Sequence, residues 1–230
     1  MSLKFIFMLT RNDQTVKDAE EHLETVLNCG VKHIGFKDIG LSFEKLKILN
    51  DKIKKYGAES YLEVVSLDKN SEMLSAQTAV DIGVDNLLGG TNIQSVLPII
   101  KGSKIRYFPF PGEIVGHPSV LSGSIEEIVK SASKLVSYEG VHGLDLLAYR
   151  FVGDVSSLMN AVRSVTDKPV IIAGSIDCKK KIIEVMESGA RAFTIGTAAL
   201  NGVYTSEGHN LTSQLRKVIE DVAEIDSKGL

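Results

Sequence analysis

Tryptophan is absent and cysteine occurs only twice, at Cys29 and Cys178. Neither cysteine sits in a Cys-x-x-Cys pair or beside a second ligand. That excludes a disulfide scaffold and a structural zinc site, and it suits a reducing cytosol. An excess of one charge is also lacking: 26 Lys and Arg face 29 Asp and Glu, a formal net charge of −3. A general nucleic-acid binder needs a basic footprint that this balance does not supply, and no Lys/Arg cluster is dense enough to hold an anionic membrane. Long hydrophobic runs are missing as well. The longest near the start, Phe5–Leu9, is too short for a signal-peptide core or a membrane span. A cytoplasmic protein is expected, with no bound metal, no cofactor and no nucleic-acid or membrane partner. Assembly with further copies of itself stays open.

What the chain does contain is 43% hydrophobic residues over a length of 230, ample for one sizeable core. Eight short apolar runs read as strands: Lys4–Leu9, His33–Lys37, Ser60–Val65, Asn86–Leu88, Ile105–Phe108, Leu144–Leu147, Val170–Ala173 and Ala192–Ile195. Each is nearly continuous in apolar character, as parallel strands covered by helices should be. Amphipathic stretches lie between them. In the first, Val16, Ala19, Leu23, Val26 and Leu27 recur at helical spacing, with Asp13 or Thr15 placed to cap its start. The last is expected over about Leu211 to Ile225. Strand–helix alternation eight times over predicts an α/β protein, a single (β/α)8 TIM barrel spanning 1–230 as one domain with no linker.

Repetition within the sequence supports that count. A glycine followed by Val or Ala precedes alternate strands at Gly30-Val31, Gly83-Val84, Gly140-Val141 and Gly189-Ala190. Glycine accepts the left-handed helix C-cap, and the apolar residue after it re-enters the core. Ser66-Leu67-Asp68 after strand three matches Ser175-Ile176-Asp177 after strand seven, and Gly90-Thr91 after strand four matches Gly196-Thr197 after strand eight. Two similar half-barrels are the expected layout, with common turn chemistry as the competing explanation.

In such a barrel the loops after the strands build the site. Ala173-Gly174-Ser175 and Ile195-Gly196-Thr197 put small residues where backbone can approach a ligand, followed by helix starts expected near Asp177 and Ala198. Free N–H groups and hydroxyls there suit a phosphate, although Ser, Thr and Gly are also ordinary capping residues. The strings PVIIAGSID and ARAFTIGTAAL resemble the phosphate-binding end of the ribulose-phosphate-binding barrel superfamily, and the two-half layout is similar to that of the histidine-biosynthesis phosphoribosyl isomerases within it. The resemblance implies a phosphorylated small-molecule ligand gripped by Gly174, Ser175, Gly196 and Thr197. Their first-half counterparts Ser66, Gly89, Gly90 and Thr91 would hold a second phosphate, provided side chains do not close over those loops.

The catalytic residues of that superfamily do not carry over. The isomerases place acids at the ends of strands one and five, where this chain has Leu9-Thr10-Arg11 and Phe108-Pro109-Phe110, with Asp13 and Glu113 beyond them in loops. The decarboxylases and epimerases use Asp-x-Lys-x-x-Asp on strand three, where this chain has Glu63 alone. What remains is a set of ionisable groups at strand ends: Lys37, Asp38, Glu63, Asp145 and Arg150. A lysine in an apolar barrel mouth is expected to have a depressed pKa and to form a Schiff base or move a proton, with Glu63 or Asp38 as base and Asp145 opposite. Adjacent strand residues face opposite ways, so Lys37 and Asp38 cannot both point inward unless the strand has ended. Structural ion pairs are the bland alternative for each. Arg150, and His117 in the long loop after strand five, would position substrate. The leading expectation is an enzyme acting on a phosphorylated sugar or related ester, as isomerase, epimerase or aldolase-type lyase. An FMN-binding barrel and a non-catalytic sensor of a phosphorylated metabolite are the alternatives.

Overall fold

The structure is a computed structural model that describes residues 2–66 and 68–227; Leu67, in the middle of the first Ser-x-Asp motif, lies outside the described residues. Eight parallel strands form the barrel: β1 (Lys4–Met8), β2 (His33–Lys37), β3 (Glu59–Val64), β4 (Asn86–Gly89), β5 (Arg106–Phe108), β6 (Leu144–Leu146), β7 (Val170–Ile172) and β8 (Ala192–Ile195). They are ordered β6-β7-β8-β1-β2-β3-β4-β5. The remaining seam is drawn together by a parallel bridge between Tyr107 and Val141 and by the Asp145 amide, which donates to the Pro109 carbonyl at 3.1 Å. Every expected strand is present, with ends displaced by one residue at most.

The helices are α1 (Ala19–Asn28), α2 (Phe43–Lys55), α3 (Lys69–Ile82), α4 (Ile93–Ile100), α5 (Ile125–Val136), α6 (Val155–Ser164), α7 (Lys179–Glu187), α8 (Thr197–Leu200) and α9 (Leu211–Ser227). Two starts differ from expectation. Helix α1 begins after Asp18, because Asp13 and Thr15 belong to a hairpin that precedes it. Helix α7 begins two residues later than Asp177. Gly30, Gly83, Gly140 and Gly189 all have positive φ, from 72° to 88°, and the residues after them, Val31, Val84, Val141 and Ala190, are buried. At Gly30, Gly83 and Gly189 the left-handed turn closes the helix directly, whereas Gly140 lies three residues beyond the Ser137 cap of α5; each returns the chain to the barrel.

Alternation along the strands divides the interior in two. One set faces the helices in a large apolar layer that includes Phe7, Phe36, Leu62, Leu87, Leu144, Ile172 and Phe193. The other faces the barrel axis: Ile6, Met8, Tyr61, Leu88, Phe108, Ile171 and Ala192 form a small separate cluster. Gly35 makes room for it, since a Cβ there would run into the Met8 sulfur. This apolar cluster fills the barrel beneath the strand C-termini, so polar side chains that follow it on the same inward register are lifted towards the mouth. Lys37 and Glu63 hold those positions; Asp145, the register partner of Ile171 in the cluster, is fully buried.

Phe193 is fully buried and stacks on Phe5 with ring centroids 5.6 Å apart. Phe193→Ala is expected to cost about 3–5 kcal/mol, the usual range for removing a buried aromatic ring. Urea unfolding of the variant tests this, and a loss below about 1 kcal/mol would mean that the helix layer closes over the gap.

Candidate functional site at the barrel mouth

Lys37 and Glu63 are register partners on β2 and β3, both inward-facing and both about 5% exposed. The Lys37 ammonium lies 3.0 Å from Glu63 Oε1 and 2.9 Å from Asp13 Oδ1. Asp13 was expected in a loop. It occupies a two-residue turn, Asn12-Asp13, between Thr10–Arg11 and Gln14–Thr15, which pair as a hairpin. Both turn residues have positive φ (48° and 57°), a conformation that Asn and Asp tolerate better than other side chains. The Thr15 hydroxyl fixes the hairpin to β2, accepting from the Lys37 amide and donating to the Lys37 carbonyl, each at 2.8 Å. The turn therefore folds back over the mouth and places the Asp13 carboxylate on Lys37.

Asp13 collects three further donors from two residues. Arg150, just past β6, meets it with both terminal nitrogens, at 2.5 and 2.7 Å, a fork geometry that also fixes orientation. The Ser119 amide donates to it at 2.7 Å, and Arg150 Nη1 donates to the Ser119 carbonyl at 3.1 Å. Ser119 belongs to the segment after strand five. That segment is a hairpin arm, Glu113–Val115 paired with Val120–Ser122.

Charge follows from these contacts. Burial opposes ionisation of Asp13, but hydrogen bonds from Arg150 and the charge of Lys37 outweigh it and hold its pKa well below the usual carboxylate range. Burial alone would lower Lys37; the carboxylates of Glu63 and Asp13 overcome it and raise the pKa. The depressed lysine expected from an apolar mouth is thus corrected: two carboxylates keep it an ammonium. Asp145 shows the opposite outcome. It is fully buried, neither carboxyl oxygen has a hydrogen-bond partner among the described residues, and burial, reinforced by the charge of Glu63, pushes its pKa well above the ordinary value.

A cavity of about 560 Å3 opens above this group. Its lining includes Asp13, Lys37, Glu63 and Arg150, the loop residues Gly174, Ser175, Gly196 and Thr197, and Thr10, Pro118 and Ser119. Arg150 lies directly against Gly174, and Thr10 against Gly196. The amides of Gly174, Ser175 and Ile176 make no hydrogen bond among the described residues. The structure thus brings Lys37, Glu63, Arg150 and the four loop residues to one cavity. Asp38 points the other way, accepting from Ser75 Oγ at 2.6 Å and from the Val65 amide at 3.1 Å, and it serves to hold α3 against β3. His117 is exposed at the tip of the hairpin arm and does not line the cavity, although Pro118 and Ser119 do. Ser66, Gly89, Gly90 and Thr91 do not line it either. The condition set for a second phosphate there is not met, because the carboxylate of Glu72 sits on that loop. Asp13, Ser119 and Glu72 are the residues that sequence reasoning missed. Only Asp13 had a local signal, the Asn-Asp turn pair between short polar strands.

Among the described residues no group of His, Cys, Asp and Glu could hold a metal ion, and no helix is long and apolar enough to cross a membrane.

No protein-family model matches the sequence, and no curated protein matches it. Solved structures do match. A cube-shaped, highly porous protein cage designed by fusing symmetric oligomeric domains aligns with 100% of this chain and 75% of its own, at 15% identity and a TM-score of 0.68. A structure described as native KDPGal aligns over 99% of this chain and 97% of its own, at 12% identity and a TM-score of 0.65. A mutant tryptophan synthase alpha-subunit from the hyperthermophile Pyrococcus furiosus aligns over 97% and 100%, at 12% identity and a TM-score of 0.67. At such identities the likeness is one of fold, the (β/α)8 barrel.

The state of Asp145 has a measurable consequence. Its pKa is raised on folding, so above pH 3.8 the unfolded chain gives up a proton that the folded chain keeps, and stability falls as pH rises towards the folded value. Asp145→Asn removes that dependence. Urea unfolding from pH 5 to pH 8 is expected to show the variant gaining on the parent with rising pH, by up to about 1.4 kcal/mol per unit. Parallel pH profiles would contradict a neutral Asp145.

Proposed function

We propose that this barrel is an enzyme that moves a proton next to the carbonyl of a small phosphorylated sugar or related phosphate ester, as an isomerase, an epimerase or a lyase of the aldolase type. The observation that carries the reading is the Lys37 ammonium, fixed between Asp13 and Glu63 in a cavity that is also lined by Gly174, Ser175, Gly196 and Thr197. The resemblance of those loops to the phosphate-binding end of the ribulose-phosphate-binding barrels supports the choice of a phosphate ester. The barrel neighbours, a tryptophan synthase alpha-subunit among them, are compatible with it at the level of fold.

The roles follow from charge. A lysine paired with two carboxylates is a poor nucleophile, so the Schiff-base route is the less favourable one. An ammonium is well suited to stabilise negative charge that develops on a substrate oxygen. In this scheme Glu63 takes a proton from the carbon beside the carbonyl, the electron pair of that C–H bond moves onto the carbonyl oxygen, and Lys37 faces the resulting oxyanion. Return of a proton to the opposite face of the same carbon completes an epimerisation. Return to the former carbonyl carbon, with the hydroxyl proton of the first carbon passing to the oxyanion so that the first carbon becomes the carbonyl, completes an isomerisation. Arg150 is a positioning residue, because its guanidinium is engaged by Asp13 and aims that carboxylate at Lys37. The four loop residues take the phosphate through N–H and hydroxyl donors.

A thermal-shift screen over phosphorylated sugars tests the substrate class, since a ligand at 100 times its Kd stabilises by about 2.7 kcal/mol. With a substrate in hand, Glu63→Gln and Lys37→Met are each expected to lower turnover by roughly 10²–10⁴-fold, the range for positioned acid–base groups. Losses below tenfold in both variants, with folding intact, would remove the assignment.

A further inference from the structure

The two halves of the barrel treat their matching phosphate-type loops in opposite ways. After β4, the amides of Thr91 and Asn92 both donate to Glu72: Thr91 N to Oε2 at 3.1 Å, and Asn92 N to Oε1 at 2.9 Å and to Oε2 at 3.0 Å. The Asn92 side-chain amide adds a fourth contact at 2.7 Å. Glu72 reaches this loop from α3 and is fully buried. Gly90 is required there, since a Cβ would collide with the Glu72 carboxylate. Several N–H donors converging on one buried carboxylate form an anion cradle whose anion is built into the chain.

Glu72 stands four residues after Asp68 of the Ser66–Asp68 motif. Four residues after Asp177 of the matching Ser175-Ile176-Asp177 motif stands Lys181, a cation. Its ammonium is 2.7 Å from the Ser175 carbonyl and 2.9 Å from Asp177, at the edge of the cavity. Among the described residues no carboxylate accepts from the amides of the β7 loop or of the β8 loop, the counterpart of the β4 loop, and the Gly174, Ser175, Ile176, Gly196 and Thr197 amides remain unbonded.

Resting on the phosphate reading above, we propose that Glu72 is a specificity-determining residue: it occupies the anion cradle of the β4 loop, so the site takes a substrate with one phosphate group and not a bisphosphate. The cradle is sound as a phosphate site, and the carboxylate competes with any external anion for the same amides.

Inorganic phosphate is the probe, titrated into full-length protein and followed by 1H–15N NMR, with sodium chloride at matched ionic strength as control. In the unmodified chain the amides of Ser175, Gly196 and Thr197 are expected to shift and saturate with phosphate, while those of Thr91 and Asn92 stay still. In Glu72→Ala the Thr91 and Asn92 amides are expected to shift too, and the chain to bind a second phosphate. Response of Thr91 and Asn92 in the unmodified chain at the same phosphate concentration would overturn the proposal, and that arm stands even if the variant does not fold. A folded Glu72→Ala variant with no response at these amides would overturn it as well. Silence at Ser175, Gly196 and Thr197 with a gain at Thr91 and Asn92 in the variant would instead remove the phosphate reading of the β7–β8 loops and leave the role of Glu72 as cradle occupant intact.

Discussion

The ammonium of Lys37 lies inside a protein wall, and nearly everything at the barrel mouth is arranged around that fact. A charge out of water is costly unless partners compensate it at close range, and removing one partner of such a group costs several kcal/mol. Lys37 obtains one partner from strand register alone, because β2 and β3 pair it with Glu63. The second must come from elsewhere, and the hairpin after β1 supplies it. Asp13 in turn needs more than one cation to be held at 3% exposure, which brings in Arg150 and the Ser119 amide. One buried cation thereby ties together two hairpins, two adjacent strands and the segment after β6.

This chain of dependence also explains why the fold was more legible in the sequence than the site. Parallel strands covered by helices must be apolar along their whole length, and helices that return to them must turn sharply. Both needs are met by local residues, so the eight apolar runs located the strands to within a residue, while the start of α1, expected at Asp13 or Thr15, lies after Asp18. The facing of Lys37 and Asp38 was legible for the same reason, since alternation puts one inside and one outside. Alternation does not say which is which; the contact of Asp38 with Ser75 does.

What could not be read was anything that depends on a distant partner. Asp13 looked like a loop residue and a helix cap because the hairpin that carries it has strands of only two residues each. The charge of Lys37 was misjudged for want of Asp13: an apolar mouth lowers a lysine, and two carboxylates raise it. Glu72 carries no signal of its own, being an ordinary glutamate in the first turns of a helix. Its meaning lies in a loop some twenty residues further along the chain.

The hydrogen-bonded group at the mouth has formal charges that sum to zero: Asp13 and Glu63 against Lys37 and Arg150. Paired at distances near 3 Å, these charges cancel each other's field within a few ångströms, and the net charge of the whole chain adds little. A diffusing anion therefore meets no long-range attraction on its way in. Capture depends on short-range contact with the backbone of the loops, and the rate of association should change little between low and physiological salt, unlike that of sites that steer their ligands electrostatically.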